Sequence, residues 1–349
     1  MPVSCLNAIV RVKVSINQFI TIVTITRKPA GENCHLHLGR KLGSGGNFPR
    51  LAFAFLFSLV ITFLTGFLFV SCASVPVLQG SGQLKKFATV ESIQPQWENF
   101  YAGVELFYGR VVSPGIEFYA LKVDLFARDL SVVVRGGAIS DDGGALSVKV
   151  TGFVRDNNLI AGINAAPFDI ASSKEGQPIK NSGIVIADGK MISPVNPRYD
   201  ALVFFRDGSK EQKLNAVIVN QSSIYTTVNI ENAAGGFYQI LKDGQITDRT
   251  LAGKSRHPRS AAGISSDSRY LYLLVIDGRR IGSAGATEKE TALLLRSLEA
   301  WDGLNFDGGG SSALALRYHD GKVRAVNTPV HRFPGQERAV ASCIGIKKE

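Results

Sequence analysis

Residues 270–278 read YLYLLVIDG. Seven aromatic, aliphatic and β-branched residues run without a polar break into Asp277-Gly278. Such a run suits a strand, and Asp-Gly suits a tight turn because glycine tolerates positive φ. The same pattern recurs along the chain: IEFYALKVDL at 116–125, LSVVVRGGA at 130–138, SGIVIADGK at 182–190, ALVFFRDGS at 201–209 and AVASCIGI at 339–346. Asp-Gly occurs eight times, and the copies at Asp188, Asp207, Asp243 and Asp277 follow or separate apolar runs, so several hairpins are expected. One helix is expected over 288–301. Thr287 and Glu290 form a T-x-x-E capping box, and Ala292, Leu294, Leu295, Leu298 and Trp301 give the apolar face. A shorter helix is expected around Asn232–Leu241, with Gly235-Gly236 weighing against it. The fold class is therefore α+β: a strand-rich domain with mixed or antiparallel sheets and a few packed helices.

The 349 residues suffice for one large domain or two small ones. Apolar residues make up 45% and charged residues 19%, so most of the chain should fold. The net charge of +10 suggests a nucleic-acid partner until its distribution is examined. Residues 1–71 hold Arg11, Lys13, Arg27, Lys28, Arg40, Lys41 and Arg50 against Glu32 alone. Subtracting these seven and one from 39 basic and 29 acidic residues leaves 32 and 28, a net +4 over residues 72–349. That is an ordinary surface charge, and nucleic-acid binding is not expected.

Leu51–Ser71 reads LAFAFLFSLVITFLTGFLFVS without a charge. As a helix it would span about 31 Å, roughly one hydrocarbon core. Arg40, Lys41 and Arg50 precede it and favour a cytoplasmic N-terminal side. Val70-Ser71-Cys72-Ala73-Ser74 follows and resembles a relaxed bacterial lipoprotein cleavage box, which implies lipidation at Cys72. The alternative is an uncleaved signal anchor; either exports the C-terminal part and tethers it to a membrane. The expected organisation is a basic leader over 1–50 (an over-extended start set aside from fold reasoning), an apolar segment over 51–71, a tether leading into the domain's edge over 72–98, and a catalytic domain over 99–349. Of Cys5, Cys34, Cys72 and Cys343, only Cys343 lies in that domain, so no internal disulfide is expected and Cys343 reads as a buried strand residue.

The densest chemistry is Asn305-Phe306-Asp307-Gly308-Gly309-Gly310-Ser311-Ser312. Gly308, Gly309 and Gly310 let a ligand approach the backbone, their N–H groups with the Ser311 and Ser312 hydroxyls can cradle an anion, and Asp307 supplies a carboxylate at the rim. A glycine-rich turn capped by Asp307 explains the same letters. In Arg256-His257-Pro258-Arg259-Ser260, Arg259 can grip a phosphate and His257 can shuttle a proton; a solvated basic loop is the plain alternative. Asp277 at a strand end is a candidate acid or a turn residue. Asn164, in INAAPFD, can bond a sugar hydroxyl or simply turn the chain. Glu290 is a candidate carboxylate already explained by its capping box. Arg338, after Glu337, is a substrate contact or half of a local ion pair.

The order of these motifs is more specific than any one of them. N-x-x-x-F at Asn164–Phe168 precedes HPR-S-A-A-G-I at His257–Ile264 and an apolar strand ending DGR at Leu273–Arg279. G-x-T-x-x-E-x-A at Gly285–Ala292, NFDGGGSS at Asn305–Ser312 and ERAVA at Glu337–Ala341 follow. This resembles the phosphodiester glycosidase family over roughly residues 100–346, with one departure: Ala165-Ala166-Pro167 follows Asn164 where many relatives have glycine. The resemblance implies hydrolysis of a sugar–phosphate glycosidic linkage in a phosphodiester, and the expected export, not the resemblance, points to an envelope or extracellular glycan as its carrier. The resemblance also implies Arg259 and the glycine N–H groups on the phosphate, Asp307, Asp277 or Glu290 as carboxylates, and Asn164 and Ser311 on the sugar. No cofactor is required by this reading. In one alternative, Asp277 and Asp307 hold Mg²⁺ or Ca²⁺ in a metal-dependent phosphodiesterase or phosphatase. In another, the chain is a surface glycan-binding lipoprotein without turnover.

Overall fold

The computed structural model describes residues 9–16, 19–26, 37–40 and 84–349, apart from 136–144, 170–173, 207–212 and 227–228. The apolar segment 51–71, Cys72 and the Asp207-Gly208 turn lie outside the described residues. The chain divides into Met1–Ser74 and Val75–Glu349. The first unit holds three antiparallel strands, Ile9–Ile16, Phe19–Thr26 and His37–Arg40. Among the described residues no helix is long and apolar enough to cross a membrane.

In the second unit the run that opened the sequence analysis becomes the strand Tyr270–Ile276, inside a nine-stranded sheet between Ile116–Asp124 and Arg259–Ile264. Its lack of polar alternation has a physical cause: both faces are covered. Leu271, Leu273 and Val275 enter the main core, while Tyr272, Leu274 and Ile276 enter a second layer beneath the helix Glu288–Ser297. Burying each such side chain contributes about 1.5–3 kcal/mol. The main core is shared with two five-stranded sheets. In one, the strands run in the order Val323–Ala325, Leu314–Arg317, Ala161–Asn164, Cys343–Lys348 and Leu130–Arg135. In the other they run Lys190–Ser193, Val185–Ala187, Ile230–Gly235, Asp200–Arg206 and Leu214–Asn220. The helix Val150–Asp156 covers the outer side of the first. Described strand pairs are antiparallel except Lys85–Phe87 beside Val104–Val111, which makes the large sheet mixed.

The molecule is strand-rich with few helices, as expected. The helices are peripheral, so it is mostly β and fits the α+β description only loosely. The capping box is present: Thr287 Oγ1 accepts from Glu290 N, and Glu290 Oε2 accepts from Thr287 N. The helix stops at Ser297, short of 301, because the chain reverses through Glu299 at φ +76° and Trp301 N donates to Ile264 O. The helix expected around Asn232–Leu241 is absent. Those residues fall in the strands Ile230–Gly235 and Tyr238–Lys242, and Gly236 crosses so close to Leu304 that a Cβ would lie 2.7 Å from its Cγ. Asp188-Gly189 and Asp243-Gly244 take positive φ at both positions, as hairpin turns require. Asp277-Gly278 does not; there the positive φ of +55° falls on Arg279. Cys343 is a buried strand residue whose thiol burial pushes up. Val90 and Ile93 are buried, and Lys85–Phe87 pairs into the large sheet.

Candidate active site

The register brings distant motifs to one edge. Arg259 pairs with Ile276 and Ala261 with Asn305, so the start of one strand and the ends of its two neighbours lie side by side. On the first five-stranded sheet Asn164 pairs with Cys343 and Ile163 with Leu314. Residues 306–313 cross from the first of these sheet ends to the second. Phe306 is fully buried and fixes the crossing, with Phe306 N donating to Ser260 O at 2.9 Å and Asp307 N to Ala165 O at 3.0 Å.

Asn164 is the junction of this crossing. It is 1% exposed. Its Nδ2 donates to Asp307 O at 2.7 Å, and its Oδ1 accepts from Ser260 Oγ at 2.7 Å and from Ala313 N at 3.2 Å. The amide offered to a sugar hydroxyl in the sequence reading is thus engaged within the protein, on the residue whose carboxylate is the candidate catalytic group. Burial pushes the Asp307 carboxyl above its usual range, opposed by a hydrogen bond from Ser311, the charge of Arg338 and the Gly308 backbone.

The other two candidate carboxylates are committed elsewhere. Asp277, with its side chain fully buried, accepts from Arg280 at 2.6 and 3.0 Å, from Asn327 Nδ2 at 3.2 Å and from Thr328 N at 2.9 Å. Arg280 also pairs with Glu117. Glu290 caps its helix and takes both Arg256 Nη atoms at 2.6 Å. Neither points an open oxygen toward Asp307 as a partner carboxylate.

The cations are also redistributed. Arg259 donates to Ala286 O, Ser255 O and Glu288, and Glu288 in turn binds Tyr238 Oη. Two other arginines flank the glycine loop instead. Gly309 takes φ +62°, and a Cβ there would lie 3.1 Å from Arg279 Nη2. A Cβ on Gly310 would lie 2.6 Å from Arg338 Nη2, so only glycine lets the guanidinium lie against the backbone. Gly308 passes against Pro258 O. Arg338 Nη1 donates to Ser311 Oγ at 3.1 Å, and its Nε donates to His331 Nδ1 at 3.0 Å. Arg279 Nη2 donates to His257 Nδ1 at 3.2 Å. Some of the loop's N–H groups are used internally, Gly309 N on Pro258 O and Ser311 N on Gly308 O, and so are not open to a ligand. Arg279 was visible as the last letter of DGR, while His331 carried no sequence signal. Among the described residues no group of three or more His, Cys, Asp or Glu side chains is placed to hold a metal ion.

The model of the phosphodiester glycosidase family matches residues 157–347, more than half of the chain and the whole of this site. The chain belongs to the phosphodiester glycosidase family. Its family is one of glycosidase-type hydrolases. Three solved structures share the fold of this family member. A hypothetical protein from Synechocystis is 16% identical with a TM-score of 0.51, covering 74% of this chain, which in turn spans 64% of that protein. The zebrafish N-acetylglucosamine-1-phosphodiester α-N-acetylglucosaminidase catalytic domain, auto-inhibited by its pro-peptide, is 18% identical with a TM-score of 0.52, over 74% of this chain and 89% of that one. A putative exported protein from Burkholderia pseudomallei is 13% identical with a TM-score of 0.51, over 66% and 74%. No curated protein matches the chain.

Proposed function

We propose that this family member is an exported, membrane-tethered glycosidase that hydrolyses a sugar 1-phosphodiester linkage in an envelope or extracellular glycan. The observation that carries the reading is the pair of guanidiniums at the glycine loop, Arg279 against Gly309 and Arg338 against Gly310, with the Arg338 charge acting on Asp307. Planar guanidiniums suit the oxygens of a phosphodiester, and the loop removes the side chains that would block its approach. With the phosphate held there, Asp307 is the carboxylate left for the anomeric carbon, as base or nucleophile. A phosphate is a good leaving group, so the reaction can proceed although Asp277 and Glu290, among the described residues, are engaged elsewhere. The apolar segment 51–71 and Cys72 support export and tethering.

A metal-dependent phosphodiesterase would need Asp277 beside Asp307 as ligands, and the Asp277 oxygens already accept from Arg280, Asn327 and Thr328. The test is a screen of sugar 1-phosphodiesters with wild type and Asp307→Asn, with and without chelator. Release of free sugar by wild type, insensitive to chelator and lost in Asp307→Asn, is expected. Loss of activity on chelation would favour the metal reading, and ligand binding without product would make the chain a glycan-binding module.

A further inference from the structure

Both guanidiniums that flank the glycine loop lean on a histidine through the same ring atom. Arg279 Nη2 lies 3.2 Å from His257 Nδ1, and Arg338 Nε lies 3.0 Å from His331 Nδ1. A guanidinium is only a donor, so each Nδ1 must carry a lone pair and each ring proton must sit on Nε2. From this we infer that His257 and His331 are positioning residues, held neutral as Nε2–H tautomers, that aim Arg279 and Arg338 across the glycine loop. The inference rests on the phosphate-clamp reading for its purpose, but its geometry stands apart from it.

Three further features bear on this tautomer. His331 Nε2, which carries the proton in this tautomer, is buried without a hydrogen-bond partner, a cost that the Arg338 contact at Nδ1 has to offset. Arg338 continues the chain to Ser311 Oγ, and Ser311 bonds the Asp307 carboxyl, so His331 anchors the far end of a relay that reaches the candidate catalytic group. The surroundings also resist protonation. Burial is the main cause that lowers the His257 pKa, the charges of Arg259 and Arg279 add to it, and Glu288 opposes them more weakly. Burial likewise favours the neutral ring of His331, and the charges of Arg338 and Arg332 add to it. Protonation would set N–H against N–H and release the guanidinium. Although it adds a positive charge, acidification should therefore loosen the clamp.

Tautomers are read directly by nitrogen shifts. The chain has five histidines, so the full-length protein in detergent, labelled with [¹⁵N]histidine, gives few signals, and His257→Asn and His331→Asn assign the two that matter. Both rings are expected to show a lone-pair Nδ1 and a protonated Nε2 at pH 7.5. In Arg338→Lys only His331 should move toward a tautomer mixture. A charged ring or an Nδ1–H form at that pH overturns the inference.

A kinetic arm uses a sugar 1-phosphodiester. His331→Ala should raise KM roughly 10- to 100-fold, the worth of one charge-assisted hydrogen bond, and His331→Asn, which keeps an acceptor near Nδ1, should recover most of the loss. In an Arg338→Ala background His331→Ala should add nothing. An undiminished effect there would mean that His331 acts without Arg338, and would also overturn the inference. If the shifts are as expected and no sugar phosphodiester is turned over, the positioning holds and the hydrolase reading fails.

Discussion

Replacing Asn164 by alanine removes one acceptor and one donor from the centre of the crossing between sheets. Three groups lose their partner: Asp307 O, Ser260 Oγ and Ala313 N. A buried orphan costs about 1–3 kcal/mol, and the Ser260 hydroxyl can rotate to recover part of its share, so the total should be about 3–5 kcal/mol. That is a large fraction of the roughly 5–15 kcal/mol that stabilises a domain. The assay is urea unfolding followed by tryptophan fluorescence. Both tryptophans, Trp97 and Trp301, lie in the second unit, so the signal reports that unit. With a slope of about 2–3 kcal/mol/M the midpoint should fall by roughly 1–2.5 M. Asn164→Asp keeps the shape but loses the donor to Asp307 O and buries a charge, so it should be destabilised at least as much at neutral pH. A loss below about 0.5 kcal/mol in Asn164→Ala, or wild-type stability in Asn164→Asp, would refute the view that this amide holds the site together.

Other consequences are equally direct. Gly310→Ala places a Cβ 2.6 Å from Arg338 Nη2 and should raise KM by about tenfold or more while costing about 1–3 kcal/mol of stability; unchanged kinetics would show that the Arg338 pose is dispensable. Glu290→Gln weakens the capping box and the Arg256 pair and should lower stability by about 0.5–2 kcal/mol with kcat retained, whereas loss of kcat in a folded variant would restore Glu290 as a catalytic candidate. Burial raises the Glu337 carboxyl, where Thr151 N and Oγ1 bond it. Its folded state therefore binds a proton more tightly than the unfolded chain does. The stability it contributes is present below the ordinary glutamate value and is lost as pH rises through the folded value. In Glu337→Gln the fall of unfolding free energy as pH rises above the ordinary glutamate value should flatten, and an unchanged slope would assign it to other groups.

The sheet core was legible because its grammar is local. A run such as YLYLLVI declares itself, although only the structure explains its lack of alternation: the helix Glu288–Ser297 covers one face and neighbouring sheets the other. The capping box was legible for the same reason. The segment around Asn232–Leu241 misled because alanines suit a helix, while the close passage of Gly236 against Leu304 is a tertiary fact. In the site, motif order brought the right loops together. Which carboxylate stays open was hidden, since it depends on Arg280 and Asn327 meeting Asp277 and on Arg256 meeting Glu290. Arg259 and Arg279 look alike in sequence, and the partner Glu288, 29 residues away, separates their roles. His331 sits in an irregular loop with no periodicity, so its contact with Arg338 appears only in three dimensions.

In the proposed reaction the bond broken joins sugar carbon to phosphate oxygen. Hydrolysis of a sugar 1-phosphodiester in ¹⁸O-labelled water, with mass analysis of both products, locates that bond. The label is predicted on the anomeric hydroxyl of the released sugar, with the phosphate monoester unlabelled. Label on the phosphate would mean cleavage at phosphorus and would contradict the account.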